Sequence, residues 1–139
     1  MLRAVIDPGV LVSALLTPAG SPAPMYARWV AGEFELVVCP QLLAEMESAL
    51  HRPKFRRYAT LDEVDRYVAL LRSDASSVPD PAPAPGLTRD PDDDYLVALA
   101  RSAGVDYLVA GGADLTDLVG VMPPVCSPAA FVARLAPPS

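Results

Sequence analysis

The amino-acid sequence predicts an α/β fold, a three-layer α/β/α sandwich built around a parallel sheet, in a single domain over residues 1–139. Three short apolar segments with the composition of buried strands carry this prediction, namely 4–6, 36–39 and 107–110. Segments with helical spacing of apolar residues lie between them, and this alternation favours parallel pairing of the strands. Because the strands are apolar without a polar alternation, we expect helices to cover both faces of the sheet.

The first half of the chain is expected to alternate strand and helix. The predicted segments are a strand over 3–7, an apolar run over 10–16, a helix over 25–30, a strand over 34–39 and a helix over 40–50. Gly32 ends the first of these helices, as glycine often does. Pro40 suits the first turn of the second, where no backbone N–H is needed.

The second half begins with a basic connection and then returns to the same alternation. The predicted segments are the connection over 51–58, a helix from Thr60, an extended surface loop over 76–85, a helix from Asp90-Pro91 to about Gly104, a strand over 106–110, a short strand near 121–125 and a helix from Ser127. Thr60 and Glu63 have the spacing of a capping box, which marks a helix start.

Composition excludes several classes of protein. Hydrophobic residues make up 52% of the chain, which indicates a globular fold rather than a disordered chain. No apolar run is long enough to span a bilayer, and the apolar start before Asp7 is too short for a signal peptide, so we expect a cytoplasmic protein without membrane contact. The net charge of −6 argues against a broad nucleic-acid-binding surface but permits a local basic patch.

Histidine and cysteine offer little material for a site. His51 is the single histidine, which excludes a histidine-rich metal site and leaves little for a Ser-His-Asp triad. Cys39 and Cys126 lie in apolar surroundings without other metal-ligand residues nearby, so both are expected to be buried, reduced thiols.

Four acidic residues, far apart in sequence, are predicted to meet at one edge of the sheet. Asp7 ends the first strand, and Asp114 follows a later one. Glu45 lies on the helix after the second strand, and Asp93 lies in the first turn of another helix. Ligands of open parallel sheets gather at the carboxyl ends of the strands. Carboxylates converging there would repel one another without a cation, and such oxygen-rich sites suit Mg²⁺ or Mn²⁺.

Each acid also has a structural interpretation. Residues 92–94 favour a helix N-terminus through the macrodipole, with Asp90 as an N-cap. Glu47 is an obvious rival to Glu45, and Asp114 fits a turn. Asp7 is the hardest to explain structurally, because an acid that ends a buried strand is costly unless it is paired or bound.

The basic connection has two interpretations of equal weight. Its cations and aromatic rings could hold a phosphate backbone and stack bases, or they could form a solvated connector. The residues assigned to RNA binding are Arg52, Lys54, Arg56 and Arg57, with Phe55 and Tyr58 between them, and Arg89 before the third acidic segment.

Four segments that contain the candidate acids follow one another along the chain, namely 5–14 (VIDPGVLVSA), 42–55 (LLAEMESALHRPKF), 89–100 (RDPDDDYLVALA) and 106–115 (DYLVAGGADL). In these segments and in their order the sequence resembles the PIN-domain family, in particular the VapC-like toxin components of bacterial toxin–antitoxin systems. The resemblance implies a PIN-like sheet and Mg²⁺- or Mn²⁺-dependent cleavage of RNA. It also implies Asp7, Glu45 and Asp93 as the core metal ligands, with Asp93 preferred over Asp94. It further implies an antitoxin partner and a homodimer.

The chain departs from the family pattern in two places. Pro8-Gly9 stands where the family usually has Thr-Asn, and Gly112 stands where it has the first of two acids, although Asp114 remains. These departures support an alternative, a catalytically impaired PIN-fold module that binds RNA or a protein. A phosphatase of the haloacid dehalogenase type is a weaker alternative, because Gly9 occupies the position of its second aspartate.

Overall fold

The computed structural model describes residues 1–20, 22–83, 86, 91–111 and 122–135. The strands in these residues are β1 (Arg3–Ile6), β2 (Glu35–Val38), β3 (Ser76–Ser77), β4 (Tyr107–Val109) and β5 (Val125–Cys126). The helices are α1 (Pro8–Leu16), α2 (Pro22–Val30), α3 (Pro40–Leu50), α4 (Leu61–Asp74), α5 (Pro91–Ala103) and α6 (Pro128–Arg134), with a short 3₁₀ turn over Pro53–Phe55.

The five strands form one parallel sheet in the order β3-β2-β1-β4-β5. The central strand β1 places Val5 beside Val37 on one side and beside Leu108 on the other. Ala4, Val5 and Ile6 are all almost fully buried, although successive side chains of a strand point to opposite faces. Helices therefore cover both faces, which confirms the predicted three-layer α/β architecture.

The core fills the space between sheet and helices with aliphatic and aromatic side chains. The ring of Phe131 on α6 meets Phe34 and Tyr107 edge to face, with ring centres 4.9 and 5.9 Å apart. Both cysteines are buried and free, as predicted. Burial raises the pKa of the Cys39 thiol to about 11, so this thiol stays protonated at neutral pH. No helix in the described part of the chain is both long and apolar enough to cross a membrane.

Helix ends follow local sequence signals. The Thr60 hydroxyl accepts from the Glu63 N–H, and the Glu63 carboxylate accepts from the Thr60 N–H, so the predicted capping box is present. Gly32 and Gly104, after α2 and α5, have φ values of +80° and +64°, which other residues adopt with strain.

The extended loop predicted over 76–85 is wrong at its start, where β3 pairs with β2. The Val78 N–H donates to the Val38 carbonyl at 2.9 Å, and the Ser76 hydroxyl donates to the Glu35 carboxylate at 2.6 Å. Backbone pairing with an existing edge is enough to form this strand, although its serines lack an apolar pattern. The strand expected near 121–125 is found at Val125–Cys126.

We expect Tyr67→Phe to destabilise the fold by about 1 kcal/mol, the usual net contribution of a buried hydrogen bond. The Tyr67 hydroxyl donates to the Leu11 carbonyl at 2.6 Å and so joins α4 to α1. The measurement is the free energy of unfolding in urea. Tyr58→Phe is the matched control, since the Tyr58 side chain is exposed and should lose almost nothing. Equal stabilities of the two variants would contradict the expectation.

Candidate metal and nucleic-acid site

Asp7 lies where the central strand meets the first helix. It is the N-cap of α1, and its Oδ1 accepts the Gly9 N–H at 2.8 Å. Its own N–H donates to the Val109 carbonyl of β4 at 2.9 Å, which fixes the backbone at the carboxyl edge of the sheet. Burial raises the pKa of the Asp7 carboxyl, although the Gly9 hydrogen bond opposes this effect. The charged form of Asp7 is therefore partly desolvated, which is typical of acidic residues at functional sites.

Glu45 faces the same groove as Asp7. The groove has a volume of about 710 Å³, and its walls include Asp7, Gly9, Gln41, Glu45 and Arg52. Glu47, the rival acid, lies outside this lining, and its carboxylate pairs with Arg72 of α4 at 3.3 Å. Two positions along an α-helix correspond to more than half a turn, so the two glutamates face different surroundings. The geometry therefore puts Glu45, and not Glu47, beside Asp7.

The N-terminal part of α5 approaches the same groove through Tyr95, whose hydroxyl lies close to Glu45. The Tyr95 hydroxyl is buried beside the Glu45 carboxylate, yet it forms no hydrogen bond of standard geometry with a described residue. Burial raises the pKa of Tyr95, and the carboxylates of Glu45 and Asp7 raise it further. Tyr95 thus stands within the electrostatic reach of both acids. The sequence gives no signal for this place of Tyr95, because it depends on how α5 approaches α3.

The neighbouring acids of α5 differ in their surroundings. Asp94 is buried, and its Oδ2 accepts the Gly86 N–H at 3.0 Å. Asp93, the predicted ligand, is half-buried. Within the described ranges, no group of three acidic, histidine or cysteine side chains is close enough to hold a metal ion together. Asp114 and Arg89 lie outside the described residues, as does Gly112.

A single hard cation fits the donors that the structure brings together. Asp7 and Glu45 supply carboxylate oxygens on the walls of one open groove. Mg²⁺ commonly binds through one or two carboxylates and keeps several of its water ligands, so three protein ligands are not required. The partial desolvation of Asp7 adds to the fit, because a bound cation would favour its charged form.

Asp80 is a further acid at this edge that sequence reasoning missed. It follows β3, and its Oδ1 accepts the Gln41 N–H at 2.8 Å, so it caps the N-terminus of α3 from a distant part of the chain. Cys39 precedes α3 without capping it through its side chain. The sequence signal is an acid shortly after a strand, and the predicted loop over 76–85 conceals that strand.

The cationic side chains of the basic connection over 51–58 point in different directions. Arg52 and Phe55 line the groove that holds Asp7 and Glu45. Arg56 instead turns inward and donates to the Leu50 carbonyl at the end of α3, and its Nε and Nη1 are buried without a hydrogen-bond partner among the described residues. Of the predicted RNA-binding residues that the structure describes, Arg52 is therefore the one that shares a groove with the acids.

We expect Asp7→Asn to raise the free energy of unfolding at pH 7 in the presence of EDTA. Because burial raises the folded-state pKa of Asp7 above its ordinary value of 3.8, its charge costs stability at neutral pH. Below that value the carboxyl is protonated in both states and the cost vanishes. Asparagine is neutral at every pH and keeps an oxygen for the Gly9 N–H.

The measurement is urea unfolding at about pH 7 and about pH 3.5. The variant should be the more stable protein at the higher pH, and the difference should shrink at the lower pH. Asp65→Asn is the matched control, since 69% of the Asp65 side chain is exposed. A wild type as stable as Asp7→Asn at neutral pH would show that Asp7 is not held in a costly charged state.

Comparisons with known proteins bear on the fold and the family of this chain. The sequence profile described as the PIN domain matches residues 3–112. The fold is similar to the crystal structure of PAE2754 from Pyrobaculum aerophilum, with a TM-score of 0.66 and 18% identity over 96% of this chain and 94% of that one.

A second similar structure is that of VapBC2 from Rickettsia felis bound to a DNA fragment from their promoter. Its TM-score is 0.62, with 11% identity over 91% of this chain and 98% of that one. A search of curated proteins gave no significant match. The structural similarities show the fold, whereas the profile covers most of the chain and includes the segments that contribute Asp7 and Glu45. The chain therefore belongs to the PIN-domain family.

Proposed function

We propose that this protein is a metal-dependent endoribonuclease that hydrolyses phosphodiester bonds of RNA with Mg²⁺ or Mn²⁺. One observation carries the proposal: Asp7 and Glu45 line the same groove as Arg52 and Phe55. Carboxylates that hold a cation and an arginine that attracts phosphate are the groups that phosphodiester hydrolysis needs close together. Membership of the PIN-domain family, whose members are generally nucleases, supports the same activity.

In this proposal Asp7 and Glu45 hold the ion, and Asp93 and Asp114 complete its surroundings. A divalent ion held there would activate water and would stabilise the negative charge that develops on the phosphate. The buried hydroxyl of Tyr95 lies beside the Glu45 carboxylate. Gly9 fixes Asp7 by the hydrogen bond from its N–H to Oδ1.

The chain's cations attract the RNA backbone. Arg52 lies in the groove itself, and Lys54 and Arg57 are exposed on the turns that follow it. Arg89 is proposed to extend this set, from the segment before α5. The Arg56 guanidinium already donates a hydrogen bond to the Leu50 carbonyl. We therefore propose that Arg56 holds the basic connection over 51–58 against α3 rather than binding RNA. A local patch of this kind provides phosphate contacts although the net charge is −6.

We further propose that the protein is the toxin of a type II toxin–antitoxin system, acts in the cytoplasm, forms a homodimer and is covered by an antitoxin. The resemblance to VapC-like toxins and the fold shared with the VapBC2 structure support this role. A second candidate is a catalytically impaired module that binds RNA or a protein. Pro8-Gly9 in the first acidic segment favours it, as does the lack of a three-ligand cluster in the described ranges.

We expect purified protein to cleave single-stranded RNA with Mn²⁺ or Mg²⁺, and Asp7→Asn or Glu45→Gln to lower the rate about 100-fold or more. Such losses are usual when a group that stabilises transition-state charge is removed. The measurement is the rate of cleavage of an end-labelled RNA with and without EDTA. Millimolar Mn²⁺ should also stabilise the wild type against urea and leave Asp7→Asn unchanged.

Glu47→Gln is the matched control on the same helix, because Glu47 pairs with Arg72 outside the groove. It should cleave RNA at the wild-type rate. Equal activity of Asp7→Asn and wild type would disprove the mechanism. Expression of the same variants in bacterial cells tests the toxin role, since growth arrest should follow cleavage in each variant.

We expect Gly9→Asn to increase the cleavage rate several-fold, or to create activity if the wild type has none. A Cβ at Gly9 would meet only the Asp7 Oδ1, at 3.5 Å, an ordinary contact, so the side chain can be accommodated. Its amide would supply the polar group that the family has at this position. Gly9→Ala is the control, since it adds the Cβ without the amide. Equal rates for the two variants would show that the missing amide does not limit catalysis.

A further inference from the structure

A second, smaller pocket adjoins the groove that holds Asp7 and Glu45. It has a volume of about 270 Å³ and is lined by Val12, Ser13, Leu16, Thr17, Phe55 and Tyr58. Val12 and Phe55 line both the groove and this pocket, so the two share a wall. A strand of nucleic acid that places a phosphate in the groove would therefore have this pocket within reach of a neighbouring nucleotide.

The lining of this pocket has the chemistry of a nucleobase site. The rings of Phe55 and Tyr58 offer flat π faces, and 57% of Tyr58 is exposed to solvent. Val12 and Leu16 provide apolar surface, and the hydroxyls of Ser13 and Thr17 can bond the polar edge of a base. The volume lies just below the range of about 300–1,000 Å³ typical of sites for drug-sized ligands, which suits one flat ring.

A cationic side chain lies over each of the two aromatic rings. Lys54 Nζ lies 5.1 Å from the ring centre of Phe55, and the Arg57 guanidinium carbon lies 5.3 Å from that of Tyr58. Arg52 lies on the side of the groove. A nucleotide joins a base to a phosphate, and aromatic rings among cations match both parts. An apolar side chain of a protein partner would fill the pocket without using these charges.

We propose that this second pocket binds one unpaired nucleobase of single-stranded RNA, next to the phosphate held in the groove of Asp7 and Glu45. The proposal rests on the ribonuclease function proposed above. Such a pocket would also make the enzyme selective for single-stranded RNA, because a base in a double strand must leave its stack to enter the pocket.

The test is fluorescence anisotropy with a labelled single-stranded RNA in EDTA, where a metal-dependent enzyme binds without cleaving. Tyr58→Ala should weaken binding about 5- to 100-fold, the range for loss of one base–aromatic stack. Tyr58→Phe keeps the ring and should bind within about 2-fold of wild type. Met122→Ala, an exposed apolar control outside the lining of this pocket, should also bind as wild type. Double-stranded RNA should show no difference among the variants.

A second arm uses RNAs in which one nucleotide lacks its base. For the wild type, one abasic position should weaken binding as strongly as Tyr58→Ala does, and for Tyr58→Ala that position should have no further effect. Equal binding by Tyr58→Ala and wild type would overturn the proposal. It would also be overturned if Tyr58→Ala weakened binding of a protein partner and left RNA binding unchanged.

Failure of this proposal can be told apart from failure of the proposed function. Cleavage with Mn²⁺ but no effect of Tyr58→Ala on binding would reject the base pocket and leave the ribonuclease. Loss of binding in Tyr58→Ala without cleavage by the wild type would reject the ribonuclease and retain the base pocket.

Discussion

The parallel pairing of β1 between β2 and β4 is the constraint on which the rest of the molecule depends. It places Val5 beside Val37 and Leu108, and it buries every residue of the strand from Ala4 onward. The strand then ends at Asp7, whose N–H is held by Val109 of β4. Because a buried, fully paired strand cannot slide by one residue without exposing apolar side chains, the position of Asp7 is fixed by the core.

The groove that holds Asp7 and Glu45 lowers the stability of the fold. Burial disfavours the charge of Asp7, and Tyr95 keeps a buried hydroxyl beside Glu45. Neither arrangement contributes to stability in the manner of the apolar core. Groups held in costly states at the edge of a rigid sheet are characteristic of functional sites, where a ligand relieves the cost on binding. The apolar sheet and its helices hold these polar groups in place.

Apolar periodicity and local caps predicted most of the fold, because those signals lie within each segment. Thr60 and Glu63 predicted the start of α4, and Pro40 predicted the start of α3. β3 was missed because its serines pair only through the backbone, and Asp80 was missed with it. In the site, Asp7 and Glu45 were predicted and share a groove. Tyr95 could not be predicted, because its place depends on how α5 approaches α3. Nor could the sequence show that Arg52 and Arg56 point in different directions.

Asp80 has a consequence for the order in which the site forms. The helix that carries Glu45 receives its N-terminal cap from a residue 39 positions beyond Gln41, and Asp7 obtains its backbone partner from Val109. Such distant contacts form late, because a long loop must close before they contribute. During synthesis, a chain still short of β4 would lack the partner that fixes Asp7. If the protein cuts RNA, a nascent polypeptide that has not yet reached β4 would therefore be harmless to its own messenger.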